Sequence, residues 1–224
     1  MYSHVSKYPP TDLSIPEGST IVFSGPCGSG KSFLLELAAG IKKPPIGTIL
    51  WNNRDIQTLS ELEEKQYRSS FGVALQQPTL INFLSVEKNL SLPLSYHGRM
   101  DSESIQRRVE TMIQQFEITK QKHNLPERLS TGQKKLVSLA RALIASPKVL
   151  FLDEPTEGLD PLQAETILDV LNLLGQVPEK TVIISTGDNS IIEKLQSPLY
   201  YLDGYTIHYC PDYESYLQRR ESLL

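Results

Sequence analysis

Val149–Leu152 and Val182–Ile184 are apolar at every position, with no alternation of polar side chains. Strands of that kind are buried on both faces, as in a parallel sheet covered by helices. Further short runs at Thr20–Ser24, Thr48–Trp51, Phe71–Leu75, Val149–Asp153, Thr181–Ser185 and Leu199–Leu202 complete the set of expected strands. Helical spacing lies between them. Residues 31–39 are good helix formers that stop at Gly40, a natural end signal. Residues 162–174 place Ile167, Leu168, Leu171 and Leu174 on one face, opened by Asp160 as N-cap and Pro161 in the first turn, and closed by Gly175. Strand and helix patterns that alternate in this way predict an α/β domain with a mostly parallel sheet.

Between about 79 and 130 no strand pattern appears. Residues 103–117 instead carry Ile105, Val109, Met112, Ile113 and Phe116 at helical spacing, with Asp101 or Ser102 available as cap. Pro78, Pro93 and Pro126 punctuate the edges of this stretch. It reads as a helical subdomain, about 79–130, inserted into a core of about 1–78 and 131–210, with 211–224 as a C-terminal tail.

The bulk properties narrow the partners. A chain of 224 residues with 39% hydrophobic and 21% charged residues suits one sizeable soluble core. A formal net charge of −4 gives no electrostatic reason to expect nucleic acid. No apolar run approaches the ~20 residues that cross a bilayer, and the first residues lack the apolar stretch of a signal peptide. Cys27 and Cys210 make no disulfide framework, which points to free thiols in a reducing, cytosolic compartment.

The chemistry begins at residues 25–32, Gly25-Pro26-Cys27-Gly28-Ser29-Gly30-Lys31-Ser32, which fill every fixed position of the phosphate-binding loop G-x-x-x-x-G-K-[ST]. Glycines let successive main-chain N–H groups turn inward on phosphates. Lys31 is placed for the β- and γ-phosphates of a nucleoside triphosphate and the Ser32 hydroxyl for Mg²⁺, with Phe33 in the first turn of a helix whose N-terminus favours anions. The run Val149–Asp153 then ends in Asp153 and Glu154. At the carboxyl edge of a parallel sheet, Asp153 suits an Mg²⁺ held partly through water, and Glu154 suits a group that polarises the attacking water.

Residues 129–133 read Leu-Ser-Thr-Gly-Gln and run into an apolar-faced helix, Leu136 to Leu143. Here the chain resembles the ATPase subunit of ABC transporters, whose signature is usually Leu-Ser-Gly-Gly-Gln. The resemblance extends from about residue 5 to 210. It implies the ABC-type P-loop NTPase fold, and a head-to-tail dimer with an identical or different ATPase subunit. In that dimer Ser130, Thr131, Gly132 and Gln133 face the nucleotide held by the partner. It implies Gln76 (less so Gln77) as a metal-ligating Q-loop glutamine, Glu157–Asp160 as the D-loop, and Tyr8, or else Tyr2, as the residue stacked on adenine. An integral-membrane transporter subunit would dock around Thr79–Leu94, which places the chain at the cytoplasmic face of a membrane. Leu84–Leu94 looks most like the bacterial branch of cell-division, lipoprotein-releasing and phospholipid-trafficking ATPases.

The chain departs from the family pattern at two positions with chemical consequences. Thr131 stands where the signature has its first glycine. Thr186-Gly187-Asp188 stands where the family has Thr-His-Asp, so the histidine that contacts the γ-phosphate is replaced by glycine. That exchange predicts retained ATP binding with slower hydrolysis. It leaves a second reading, a nucleotide-operated interaction module with little turnover.

Overall fold

The structure, a computed structural model, describes residues 12–96, 100–204 and 206–222. In chain order its elements are β1 (Thr20–Ser24), α1 (Lys31–Ala38), β2 (Leu50–Trp51), β3 (Arg54–Asp55), α2 (Glu61–Arg68), β4 (Phe71–Ala74), α3 (Val86–Tyr96) and α4 (Ser102–Gln115). They continue with α5 (Thr131–Leu143), β5 (Val149–Asp153), α6 (Pro161–Gly175), β6 (Thr181–Thr186), α7 (Asn189–Leu195), β7 (Leu199–Leu202), β8 (Ile207–Cys210) and α8 (Tyr213–Glu221).

The main sheet has the order β4-β5-β6-β1-β7-β8, parallel except for β8, which runs antiparallel to β7. Its two faces have separate cores. Leu150, Leu152, Val182 and Ile184 pack with Leu90, Ile113, Leu136, Leu139 and Leu171. Phe151 and Ile183, one residue out of phase, pack with Ile21, Phe23 and Leu35 on the opposite face. Alternate side chains of β5 and β6 therefore both find apolar partners, which is why these strands lack polar positions. Each fully buried large aliphatic side chain of β5 and β6 contributes roughly 1.5–3 kcal/mol to the stability of the sheet.

Helix ends follow the capping signals. Asp160 accepts from the amides of Leu162 and Gln163 at 3.1 and 3.0 Å and opens α6, with Pro161 at N1. Asp101, not Ser102, caps α4. Gly40 follows α1 with a left-handed φ of 65°, while Ala39 is the cap itself.

Some expectations need correction. The expected strand Thr48–Trp51 shrinks to Leu50–Trp51, which pairs only with Arg54–Asp55 in a hairpin outside the main sheet. Asn52 and Asn53 both sit at positive φ in its two-residue turn, the geometry of a tight hairpin. Pro93 lies inside α3, not at an edge. Residues 213–221, within the expected tail, form α8, whose Tyr216 is buried with Val22, Ile192 and Leu199.

Between 79 and 130 the described residues contain helices and turns only. Asn89 of α3 is fully buried and holds the preceding loop. It accepts from the Ile81 amide at 2.9 Å and donates to the carbonyls of Ile81, Leu84 and Ser85 at 3.1, 3.0 and 3.2 Å. Arg141 of α5 anchors the loop's start by donating to the Thr79 carbonyl at 2.9 Å. On that fixed loop Phe83 stands 81% exposed. No helix among the described residues is long and apolar enough to cross a membrane.

Candidate active site

The loops that follow β4, β5, β6 and β1 leave one edge of four neighbouring parallel strands. Gln76, Glu154, Gly187 and the 25–32 loop are thereby brought together by topology, at the sheet edge where ligands of such folds bind. Gly25, Gly28 and Gly30 hold φ of 148°, 75° and 102°. At Gly25 a Cβ would fall 2.1 Å from the Leu202 carbonyl oxygen, so only glycine lets the loop leave β1. Pro26, Cys27 and Gly28 are exposed, whereas Ser29 is buried. Gly30 directly precedes α1, so Lys31 and Ser32 occupy its first turn.

Lys31 is buried and its ammonium donates to the carbonyls of Gly25 and Pro26 at 3.0 and 3.1 Å. The same nitrogen lies 4.0 Å from Glu154 Oε1. Ser32 Oγ donates to Asp153 Oδ1 at 3.0 Å, closing 121 residues of sequence into one contact. Two hard oxygen donors so placed suit a small divalent cation that shares its shell with water and phosphate. Among the described residues no three His, Cys, Asp or Glu side chains are grouped so as to hold a metal ion by themselves. Phe33 is partly buried, with the Lys42 ammonium 5.3 Å from its ring centroid.

Glu154 is the first residue beyond β5 and holds a left-handed φ of 44°, which costs about 1 kcal/mol for a side chain with a Cβ. The turn is fixed by its amide, which donates to Ser185 O at 2.8 Å. Thr186 Oγ1 donates to Glu154 Oε2, and the Gly187 amide to Oε1, each at 2.9 Å. Asp188 is turned away from this group. It caps α7, accepting from Ser190, and receives the Thr156 hydroxyl at 3.2 Å. A Cβ at Gly187 would lie 3.8 Å from Glu154 Oε1 and 3.9 Å from both the Lys31 ammonium and the Gly25 carbonyl. The exposed position therefore accepts a Cβ at ordinary contact distance from these groups.

Gln76 Nε2 donates to Glu157 Oε2 at 3.0 Å, a bond that uses the amide nitrogen and not the oxygen a cation would need. Gln77 is exposed beside it. Ser130 and Gln133 form a capping box on α5: Ser130 Oγ accepts from the Gln133 amide at 3.2 Å, and Gln133 Oε1 accepts from the Ser130 amide at 3.0 Å. Ser130 and Thr131 are exposed. A Cβ at Gly132 would meet the Gly158 carbonyl at 3.0 Å, and one at Gly158 would meet Thr131 Cγ2 at 3.6 Å, so the signature packs on Glu157–Asp160. The Thr131 methyl is turned to that loop, and the carboxylate of Asp160 serves its cap. Tyr8 and Tyr2 lie outside the described residues.

The sequence reading missed Lys135. Its side chain is 2% exposed, and its ammonium donates to the carbonyls of Gln76 and Asp153, each at 3.1 Å, and of Leu75 at 3.5 Å. Burial pulls its pKa below 10.5, opposed by the charges of Glu157, Asp153 and Glu154. The signal was present, because Lys135 stands four and seven residues before Leu139 and Ala142, on the buried stripe of α5.

A phosphate-binding loop after β1, an acid pair after β5 and a parallel sheet between helices define a P-loop α/β protein. The profile of the ABC transporter family matches residues 9–157, and the chain belongs to that family. It is 33% identical over 184 residues to the methionine import ATP-binding protein MetN of Legionella pneumophila (strain Lens), covering 82% of this chain and 54% of that protein. It is 33% identical over 181 residues to the lipoprotein-releasing system ATP-binding protein LolD of Treponema denticola, covering 80% of each. The chain thus spans about half the length of the methionine-import relatives it matches, and most of the lipoprotein-releasing one. Among solved structures, the ATP-binding cassette MJ0796, a dimer in a post-hydrolysis state bound to ADP and Pi, superposes with a TM-score of 0.83 at 29% identity over 92% of each chain. The cbiO1 protein of Clostridium perfringens, part of the ABC transporter complex cbiONQ, gives 0.76 at 28% identity over 98% of this chain and 89% of that one. These likenesses bear out the expected family and fold, and the expected lipoprotein-releasing branch is represented among the relatives.

Proposed function

We infer that this chain is an ATP-binding and ATP-hydrolysing subunit that powers a membrane transporter by nucleotide-driven closure of a cassette dimer. The observation that carries the reading is the joining of Ser32 to Asp153, with Lys31 and Glu154 4.0 Å apart beside them. The main-chain N–H groups of the 25–32 loop (Pro26 has none) and Lys31 hold the triphosphate of ATP, and Ser32, Asp153 and Gln76 are the residues that would hold Mg²⁺. The metal, when bound, screens phosphate charge and steadies the γ-phosphoryl group. Glu154 accepts a proton from water as the water oxygen bonds to the γ-phosphorus and the bond to the β–γ bridging oxygen breaks, giving ADP and phosphate. Ser130, Thr131, Gly132 and Gln133, with the loop that ends at Asp160, face a second cassette.

The loop held by Asn89 and Arg141 offers Phe83 to an integral-membrane subunit at the cytoplasmic face of the membrane. Residues 79–130 act as the subdomain that carries this surface. A second reading, a nucleotide-dependent module with little turnover, draws on Gly187, which brings only its amide to Glu154.

The test is MgATP affinity of the wild type and Lys31→Ala, beside steady-state ATPase of the wild type and Glu154→Gln with the membrane partner present. Saturable binding lost in Lys31→Ala, with turnover lost in Glu154→Gln, supports the motor. Wild type as idle as Glu154→Gln, with binding intact, selects the module. No saturable binding sinks both.

A further inference from the structure

The carboxylate of Glu154 receives one donor on each oxygen, and the two donors differ in kind. Gly187 supplies a main-chain N–H to Oε1, whereas Thr186 supplies a side-chain hydroxyl to Oε2, both at 2.9 Å. A hydroxyl has one proton and two lone pairs. The Asp188 amide donates to Thr186 Oγ1 at 3.0 Å, so one lone pair is taken and the single proton is directed at Glu154. Thr186 is itself fully buried as the last residue of β6, and its pairing with Ser24 of β1 fixes the backbone from which the hydroxyl projects. The carboxylate is thus held at both oxygens beside Lys31 by groups whose own positions the sheet determines.

We propose that Thr186 is a positioning residue for ATP hydrolysis: its hydroxyl sets the rotation of the Glu154 carboxylate. With glycine at 187, no neighbouring side chain of that residue shares this task. The proposal rests on the reading of Glu154 as the group that receives the water proton. A carboxylate free to turn about its last bond presents the correct lone pair to the water for only part of the time, which lowers kcat without weakening the grip on the phosphates. The Thr186 hydroxyl bonds to Glu154 and to the Asp188 amide, and not to Ser32, Asp153 or Gln76, so its loss reaches the proposed chemistry through Glu154.

The experiment is steady-state ATPase of the intact chain with its membrane partner for the wild type, Thr186→Val, Thr186→Ser, Glu154→Gln and the Thr186→Val/Glu154→Gln pair. Valine keeps shape and burial but neither donates to Glu154 nor accepts from the Asp188 amide, whereas serine can do both. The expected result is a roughly tenfold fall in kcat for Thr186→Val with KM for ATP within about twofold, and near-complete recovery in Thr186→Ser. In the Glu154→Gln background the valine should remove nothing further, because the two residues act as one unit. Unchanged or raised kcat in Thr186→Val overturns the proposal. So does an equal loss in Thr186→Val and Thr186→Ser, or a fall that persists in the Glu154→Gln background, since both mark a structural role. Should valine prevent folding, Thr186→Ser and Thr186→Ala take its place, with alanine at low kcat and serine near wild type as the expected pair, and equal kcat in the two overturning. A wild type no faster than Glu154→Gln rejects the hydrolytic reading itself, a result distinct from any of these.

Discussion

The ammonium of Lys135 donates to the main-chain carbonyl of Asp153 at 3.1 Å. The same nitrogen reaches Gln76 O at 3.1 Å, so one buried side chain of α5 ties together the ends of β4 and β5. Asp153 and Gln76 are separate in sequence and adjacent at the sheet edge, and the cation between them holds the edge in register with the signature helix. Its charge also sits among Asp153, Glu154 and Glu157.

Replacing Lys135 with Met should destabilise the fold by about 1–2 kcal/mol. Carbonyls lose their donor, and this is partly offset because a buried ammonium no longer needs to be desolvated. The pH dependence gives a second check. Burial lowers the folded-state pKa below the 10.5 of the unfolded chain. Just under 10.5 the unfolded chain therefore binds a proton that the folded chain has released, and stability from this group rises with pH through that window. In chemical denaturation the stability of the wild type relative to Lys135→Met should rise as the pH approaches 10.5, a difference in which the opposing titration of the raised Cys210 thiol cancels.

Gly187→His should speed hydrolysis and leave folding untouched. The backbone there is not left-handed, and a Cβ would meet nothing closer than 3.8 Å. An imidazole has space to reach the region between Glu154 and Lys31, where it supplies a donor that glycine lacks. An increase in kcat of roughly tenfold, with ATP affinity within about twofold, is expected on the scale of a positioned donor. Steady-state ATPase beside equilibrium nucleotide titration measures both.

The two free thiols should report the site and the core separately. Cys27 is exposed in the phosphate loop, while Cys210 is buried in β8. Burial is the main cause that raises the Cys210 thiol above its ordinary 9.0, with Asp212 adding to it and Arg219 opposing. A thiol kept protonated and covered is a poor nucleophile. Labelling with a disulfide reagent at neutral pH should modify Cys27 alone in the native chain, and Cys210 only on unfolding. Saturating MgATP should slow the Cys27 reaction if that loop wraps the phosphates.

Much of this arrangement was legible because it is local. The phosphate loop, the β5 acids and the Asp160-Pro161 helix start are each written within a few residues, and the apolar purity of β5 and β6 follows from their burial on two faces. What escaped was set by tertiary partners. Lys135 falls on the apolar stripe of α5, but the sequence does not show the carbonyls at the ends of β4 and β5 that receive its ammonium there. Thr186 reads as an ordinary strand end until the positive φ of Glu154 brings the carboxylate back toward it. β8, α2, α7 and α8 are short or polar, so no window of periodicity marks them. The Asn52-Asn53 pair is a local turn signal, and it joins β2 to β3 in the hairpin.

Gly132→Ala tests the proposal that the Ser130–Gln133 segment faces a second cassette. The new Cβ would lie 3.0 Å from the Gly158 carbonyl, tight enough to force a shift of a few tenths of an ångström. Gly158 holds a φ of 78° in an exposed loop, and its backbone can give way more readily than the packed helix α5. The strain should therefore appear as displacement of residues 157–160, with a stability cost below about 1 kcal/mol. ATP binding by the single chain should stay within about twofold, because the phosphate loop is on another element. If that segment faces a second cassette as proposed, ATP-driven dimerisation, followed by light scattering in a Glu154→Gln background, should weaken by about tenfold, since the displaced backbone then seats poorly against the partner. A dimer of unchanged affinity would place the contact surface elsewhere than the Ser130–Gln133 segment.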